Sequence, residues 1–125
     1  MMRVGAYITY QLRISVGGNL KLRVGRLGLC RFPAGRYVYT GSARRNLEAR
    51  VARHLAPAKR LHWHIDYLLS SPGVQVQRVR RFRGVECAVN RRTRGSVPLP
   101  GFGASDCRAG CGAHLKYIGA LQEDR

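Results

Sequence analysis

The sequence predicts one small α/β domain. Three observations carry that reading: a length of 125 residues, a period-two apolar pattern near the N-terminus, and an apolar stripe at every fourth residue further along. A chain of this length builds a single core, and with 45% hydrophobic residues it needs neither disulfides nor metal to do so. In residues 4–14 every even position is apolar (Val4, Ala6, Ile8, Tyr10, Leu12, Ile14), whereas the odd positions carry Gly5, Tyr7, Thr9, Gln11 and Arg13. That alternation makes a strand whose even side chains face the core and whose more polar face bears Tyr7. The turn residues Val16-Gly17-Gly18-Asn19, followed by alternation in 20–24, predict a β-hairpin with this first strand. Residues 27–35, closed by Pro33-Ala34-Gly35, read as a loop. A strand at 36–40 sets Tyr37 and Tyr39 on one face and Val38 on the other, and Ser42 is placed to cap the helix that follows.

In 46–55, Leu47, Val51 and Leu55 recur every fourth position, and Pro57 stops the helix. Arg50 and His54, also four apart, sit on the margin of that stripe, where a helix looks into its seam with a sheet. Residues 61–71 read as a second, buried helix, ended by Ser71-Pro72-Gly73, and 74–79 as a short strand. Val85, Ala88 and Val89 have helical spacing, which places Glu86 and Asn90 together on another face. The prolines of 97–103 make that stretch a loop, and 114–118 forms a last strand. The chain has no internal repeat and no linker, so 1–125 reads as one domain.

Lys+Arg 23 against Asp+Glu 6 gives a net charge of +17, and the lysines are only Lys21, Lys59 and Lys116. An arginine-dominated field of this size attracts phosphate backbones, because the planar guanidinium fork matches a phosphate better than an ammonium does. The expected partner is nucleic acid, DNA ahead of RNA. A membrane partner is not expected, since the arginines are spread through every segment rather than along one amphipathic helix. No obligate protein partner is inferred. No segment is long enough to span a bilayer, so the expected location is cytoplasmic, with Cys30, Cys87, Cys107 and Cys111 reduced.

Few acids are available for chemistry. Glu48 lies on an exposed helix face and Glu123 and Asp124 at the terminus, leaving Asp66, Glu86 and Asp106. Glu86 is the candidate metal ligand, with Asn90 four residues on to steady it; its alternative is a surface ion pair with Arg83 or Arg91. His62, His64 and Asp66 cannot share one face of a helix, so they read as structural. Cys107, Cys111 and His114, with Cys87 as a further donor, are the candidates for zinc, on a spacing that fits no strong template, and zinc is not expected.

Gly5-Ala6-Tyr7, Tyr39-Thr40-Gly41-Ser42-Ala43, Arg50 with His54, and Glu86 with Asn90 together resemble the ordered signature of the GIY-YIG nuclease superfamily. Ala6 and Thr40 stand in place of the namesake isoleucines, and both tyrosines are kept. Phe32-Pro33-Ala34-Gly35, 63–69, Glu86-Cys87, 101–107 and His114-Leu115 resemble its Uri-type branch of small archaeal and bacterial proteins. The resemblance implies a short antiparallel or mixed sheet flanked by helices, and phosphodiester hydrolysis with one divalent ion, Mg2+ or Mn2+, held by Glu86. Arg50 would then clamp the scissile phosphate, Tyr7 or His54 would activate water, and Tyr39 would position phosphate or water, with the two tyrosines able to exchange roles. Tyr37, Arg44, Arg45, Arg53 and Asn90 are the expected nucleic-acid contacts. Two competing readings are a binding module on a nuclease-like scaffold without turnover, and a zinc-stabilised structural protein of a ribonucleoprotein.

Overall fold

The computed structural model describes residues 7–43, 45–57, 60–103 and 113–121. Its centre is a four-stranded antiparallel sheet built from β1 (Thr9–Val16), β4 (Gly35–Ser42), β5 (Val74–Phe82) and β6 (Leu115–Gly119) in the order β5-β1-β4-β6. β2 (Leu20–Val24) and β3 (Gly28–Phe32) form a separate two-stranded sheet. The helices among the described residues are α1 (Leu47–Leu55), α2 (His64–Leu69) and α3 (Glu86–Arg92). The α/β expectation therefore holds, with the sheet wholly antiparallel.

The alternation in β1 does what the pattern requires. Tyr10, Leu12, Ile14 and Val16 are buried on one face and join Tyr37 and Tyr39 of β4, Leu47 and Val51 of α1, and Ile65 and Leu68 of α2 in the core. β4 is covered on both faces, since Val38 and Thr40 are buried as well. α3 lies over that second face, where Gln11 Nε2 donates to the Thr93 hydroxyl at 2.6 Å. Lys116 Nζ donates to the Asn90 carbonyl and, at 2.7 Å, to that of Thr93. A cation on the last carbonyls of a helix offsets its negative end.

Four expectations are corrected. The segment 27–35 is not a loop, because Gly28–Phe32 pairs with β2 and buries Cys30 and Phe32. The opening hairpin is therefore β2–β3, whereas β1 pairs with β4 and β5. Gly25 and Gly28, at φ 45° and 75°, supply the left-handed residues around the 3-10 turn that joins β2 to β3. The α1 stripe is Leu47, Val51 and His54, and Leu55 is 52% exposed. Ser42 ends β4 rather than capping α1, whose N-cap is Asn46.

α2 is shorter than the apolar run implied because Asp66 stops it from starting sooner. Its Oδ2 accepts the N–H groups of His62 and Trp63 at 2.9 and 2.8 Å, which fixes the chain before the helix in an extended form. The same fully buried carboxylate takes both forks of Arg53, Nη1 to Oδ1 at 2.8 Å and Nη2 to Oδ2 at 3.0 Å. Burial alone would raise the Asp66 pKa, but the Arg53 hydrogen bonds, the two backbone donors and the Arg53 charge outweigh it and hold it below the usual carboxylate value. A lowered folded pKa stabilises the fold above the ordinary carboxylate value near 4, and that stabilisation is lost as pH falls through the folded value. Replacing Asp66→Asn should cost about 2–3 kcal/mol in urea unfolding at neutral pH. Between pH 5 and 2, wild type should lose more stability than the variant, a difference that parallel acid titrations measure.

Candidate active site

The polar cluster sits at the end of the sheet where β1 begins and β4 ends, because antiparallel pairing brings Thr9 opposite Ser42 and Phe82. Glu86, the first residue of α3, reaches this end. Its carboxylate meets Nδ1 of His114, accepts a hydrogen bond from the Ser42 hydroxyl and feels the Arg50 charge. Burial pushes the Glu86 pKa up, yet His114, Ser42 and Arg50 together bring it below the ordinary value, so the group is an anion at neutral pH. Its side chain remains 25% exposed.

Arg50 Nη1 donates to the Ser42 carbonyl at 2.7 Å, and its guanidinium lies 4.7 Å over Trp63. One of five donors is thus spent on orientation. Arg53 stacks on Trp63 at 4.4 Å, so the indole is flanked by two guanidiniums.

The Tyr10 hydroxyl is hydrogen-bonded to His54 Nε2 at 2.6 Å inside the protein, and these rings pack against Tyr39. Burial pushes both the Tyr10 and the Tyr39 phenols well above their ordinary range, and the Glu86 charge raises them further. Both therefore remain protonated and can donate hydrogen bonds, but neither can act as a base near neutrality. Tyr10 fits because its cross-strand partner is Gly41: a Cβ there would lie 2.5 Å from the Tyr10 hydroxyl oxygen and 2.6 Å from the ring. Gly103, at φ 70°, likewise clears the Tyr39 ring, where a Cβ would lie 2.9 Å away, and its N–H donates to His64 Nδ1 at 2.9 Å.

Of the residues expected here, Tyr39, Arg50, His54 and Glu86 converge. Tyr7 lies just before β1 at the same end, 44% exposed, with the Arg83 guanidinium 4.5 Å over its ring. His54 is only 2% exposed, which places it behind the groups that solvent can reach. Three expected nucleic-acid contacts are corrected. Tyr37 is fully buried and donates to the Pro33 carbonyl at 2.6 Å. Asn90 is buried, and its Nδ2 donates to the Ala113 carbonyl at 2.9 Å, which anchors the residue next to His114 rather than a ligand. Arg53 is committed to Asp66. Arg45 is exposed, as a contact must be. Arg44, Cys107 and Cys111 lie outside the described residues, as do Gly5, Ala6 and Asp106. His114, expected only as a zinc candidate, belongs to the Glu86 cluster.

Sequence reasoning missed Tyr10, Ser42 and His114 as members of the site. Tyr10 was indistinguishable from core because it occupies an apolar phase of β1, although a glycine two residues after Tyr39 was a signal that some large group crosses there.

Among the described residues no group of three or more His, Cys, Asp and Glu side chains could form a metal cage. The donor set is a single ionised carboxylate, partly open to solvent. Such a set fits a hard divalent cation that keeps most of its waters and takes further oxygens from a phosphate, and it does not fit a closed zinc site.

Fold and cluster together define a small α/β protein carrying a carboxylate–imidazole–guanidinium centre at one end of its sheet. The chain belongs to the family described as a domain of unknown function, DUF123, whose family model matches residues 9–125. No curated protein and no solved structure matches the chain. Among the described residues no helix is long and apolar enough to cross a membrane.

Because Gly41 makes the room for Tyr10, Gly41→Ala should displace the phenol from His54 and lower stability by about 1–3 kcal/mol. Gly18→Ala, where nothing lies within 4 Å, should stay within about 0.5 kcal/mol of wild type in the same thermal unfolding series.

Proposed function

We propose that this protein is a divalent-metal-dependent nuclease that hydrolyses phosphodiester bonds in nucleic acid, DNA ahead of RNA, as its resemblance to GIY-YIG nucleases implies. The observation that carries the reading is the meeting of Glu86 with Arg50, Ser42 and His114 beside the Tyr10–His54–Tyr39 cluster. A basic protein that only binds phosphate gains nothing from an ionised glutamate at that place, because the charge repels the ligand.

The roles divide by exposure. Arg50, held by Ser42 and Trp63, presents its remaining donors to the scissile phosphate and neutralises charge that grows on it. Glu86 is the group that would hold Mg2+ or Mn2+, which when bound supplies charge stabilisation at the leaving oxygen. Tyr7, an exposed phenol at the same sheet end, is assigned to water activation. Tyr39 and Tyr10 stay protonated, and His54 positions Tyr10. The buried aromatic wall excludes water from one side of the site.

One observation favours the second reading, a binding module without turnover: the Glu86 carboxylate is already engaged by His114. The two readings separate on labelled single-stranded, duplex and branched DNA and RNA, with and without magnesium or manganese. Cleavage that requires the metal is expected. Glu86→Gln should reduce it by about a hundredfold or more with affinity unchanged within about threefold. A Glu86→Gln protein cutting at the wild-type rate would refute the metal assignment, and salt-dependent binding with no product under any condition would establish the second reading. Tyr7→Phe should lower kcat about a hundredfold without loss of stability, whereas Tyr10→Phe should cost about 1 kcal/mol of stability and less of the rate.

A further inference from the structure

We propose that the sheet face opposite the Tyr10–Tyr39 core carries a second nucleic-acid contact, an arginine-lined groove that grips the sugar–phosphate backbone. This inference stands apart from the cleavage reading, because it concerns binding on the other side of the sheet and uses none of the residues assigned to the reaction. The groove has a volume of about 560 Å³ and is lined in part by Arg13, Arg36, Arg80, Arg92, Arg94 and Phe82. Pairing explains why these converge. Tyr10, Leu12 and Ile14 face the core, so Arg13 points the other way; Arg36 sits opposite Ser15, and Arg80 opposite Gln11, on that same face. Arg92 ends α3 and Arg94 follows it, and α3 is docked on this face through Thr93 and Lys116.

Among the described residues, no acidic side chain lines the groove to offset that charge. The described carboxylates are engaged elsewhere: Glu48 with Arg81, Asp66 with Arg53, Glu86 with His114. Arg13 even stands directly across from Arg78 on the neighbouring strand, a like-charge cross-strand pair that costs stability. A bound polyanion relieves that cost. One monophosphate would neither fill the cleft nor neutralise five guanidiniums, whereas successive backbone phosphates do both. The Phe82 ring, with the Arg80 guanidinium 5.2 Å over it, offers a stacking surface of the kind that bases and sugars use. A concave site walled by α3 suits a strand better than a flat bilayer surface.

The test measures binding in EDTA, where nothing dependent on a divalent ion can contribute, by fluorescence anisotropy of labelled duplex and single-stranded DNA over a salt series. The variant combines Arg13→Gln, Arg80→Gln and Arg94→Gln. Its charge-matched control combines Arg23→Gln, Arg26→Gln and Arg31→Gln, exposed residues in and around the β2–β3 hairpin. The groove variant should bind about tenfold or more weakly, with the log–log salt slope reduced by about two to three, and the control should stay within about threefold of wild type. Thermal unfolding verifies that each protein is folded. Should the triple variant not fold, Arg94→Gln alone, outside any helix or strand, should reduce the slope by about one. Equal weakening in both triples, or wild-type binding by the groove variant, overturns the proposal. So does a groove variant that loses only its capture by phosphatidylserine vesicles. Cleavage assays with metal are read separately, so a failed groove leaves the carboxylate site untouched, and the reverse.

Discussion

Tyr10 reaches His54 across the central strand pair through the space left by Gly41, and the 2.6 Å hydrogen bond at its tip ties β1 to α1. Much of the site follows from that one contact. It draws His54 inward so that α1 turns Leu47, Val51 and His54 toward the sheet, which places Arg50 at the seam beside Ser42. It also sets the ring against which Tyr39 and Trp63 pack. A buried polar pair of this kind is costly unless both partners are satisfied, so it specifies one arrangement of helix on sheet where a purely apolar seam would tolerate several.

The protein then spends its few anions sparingly. Among the described acids, Asp66 is consumed in holding the start of α2 and the Arg53 guanidinium, Glu48 pairs with Arg81 at the surface, and Glu86 stands among polar groups that do not belong to a cap or an edge. With the acids so placed, the arginines divide by what they touch. Arg50 and Arg53 are immobilised by Trp63 and by acceptors, while those lining the groove on the far face of the sheet have no acidic neighbour in that lining among the described residues. The sheet thus separates a shaped, mixed-charge centre at one end from an arginine-lined groove on its back.

Much of this was legible before any coordinates. The period of two in β1, the fourth-residue stripe of α1 and the isolation of Glu86 among arginines are local or compositional, and they predicted the α/β class and brought Tyr39, Arg50, His54 and Glu86 to attention. Gly28–Phe32 was misread because its glycine and the following proline mark a turn, although its alternation was sound. Tyr37 and Asn90 were expected at nucleic acid since polar side chains normally face solvent, yet both find buried carbonyl acceptors, at Pro33 and Ala113. Arg53 could not be distinguished from Arg50 by spacing, since only the position of Asp66 decides which guanidinium is captured.

By itself the amino-acid order determined periodicity, charge and the inventory of reactive groups, because each is set by neighbours within a few residues or by simple counting. Tertiary structure alone decided which tyrosine meets His54, that His114 meets Glu86, and that arginines from distant strands share one groove. Those outcomes rest on strand register and helix docking between residues dozens of positions apart, 44 in the case of Tyr10 and His54, where no local pattern carries the information.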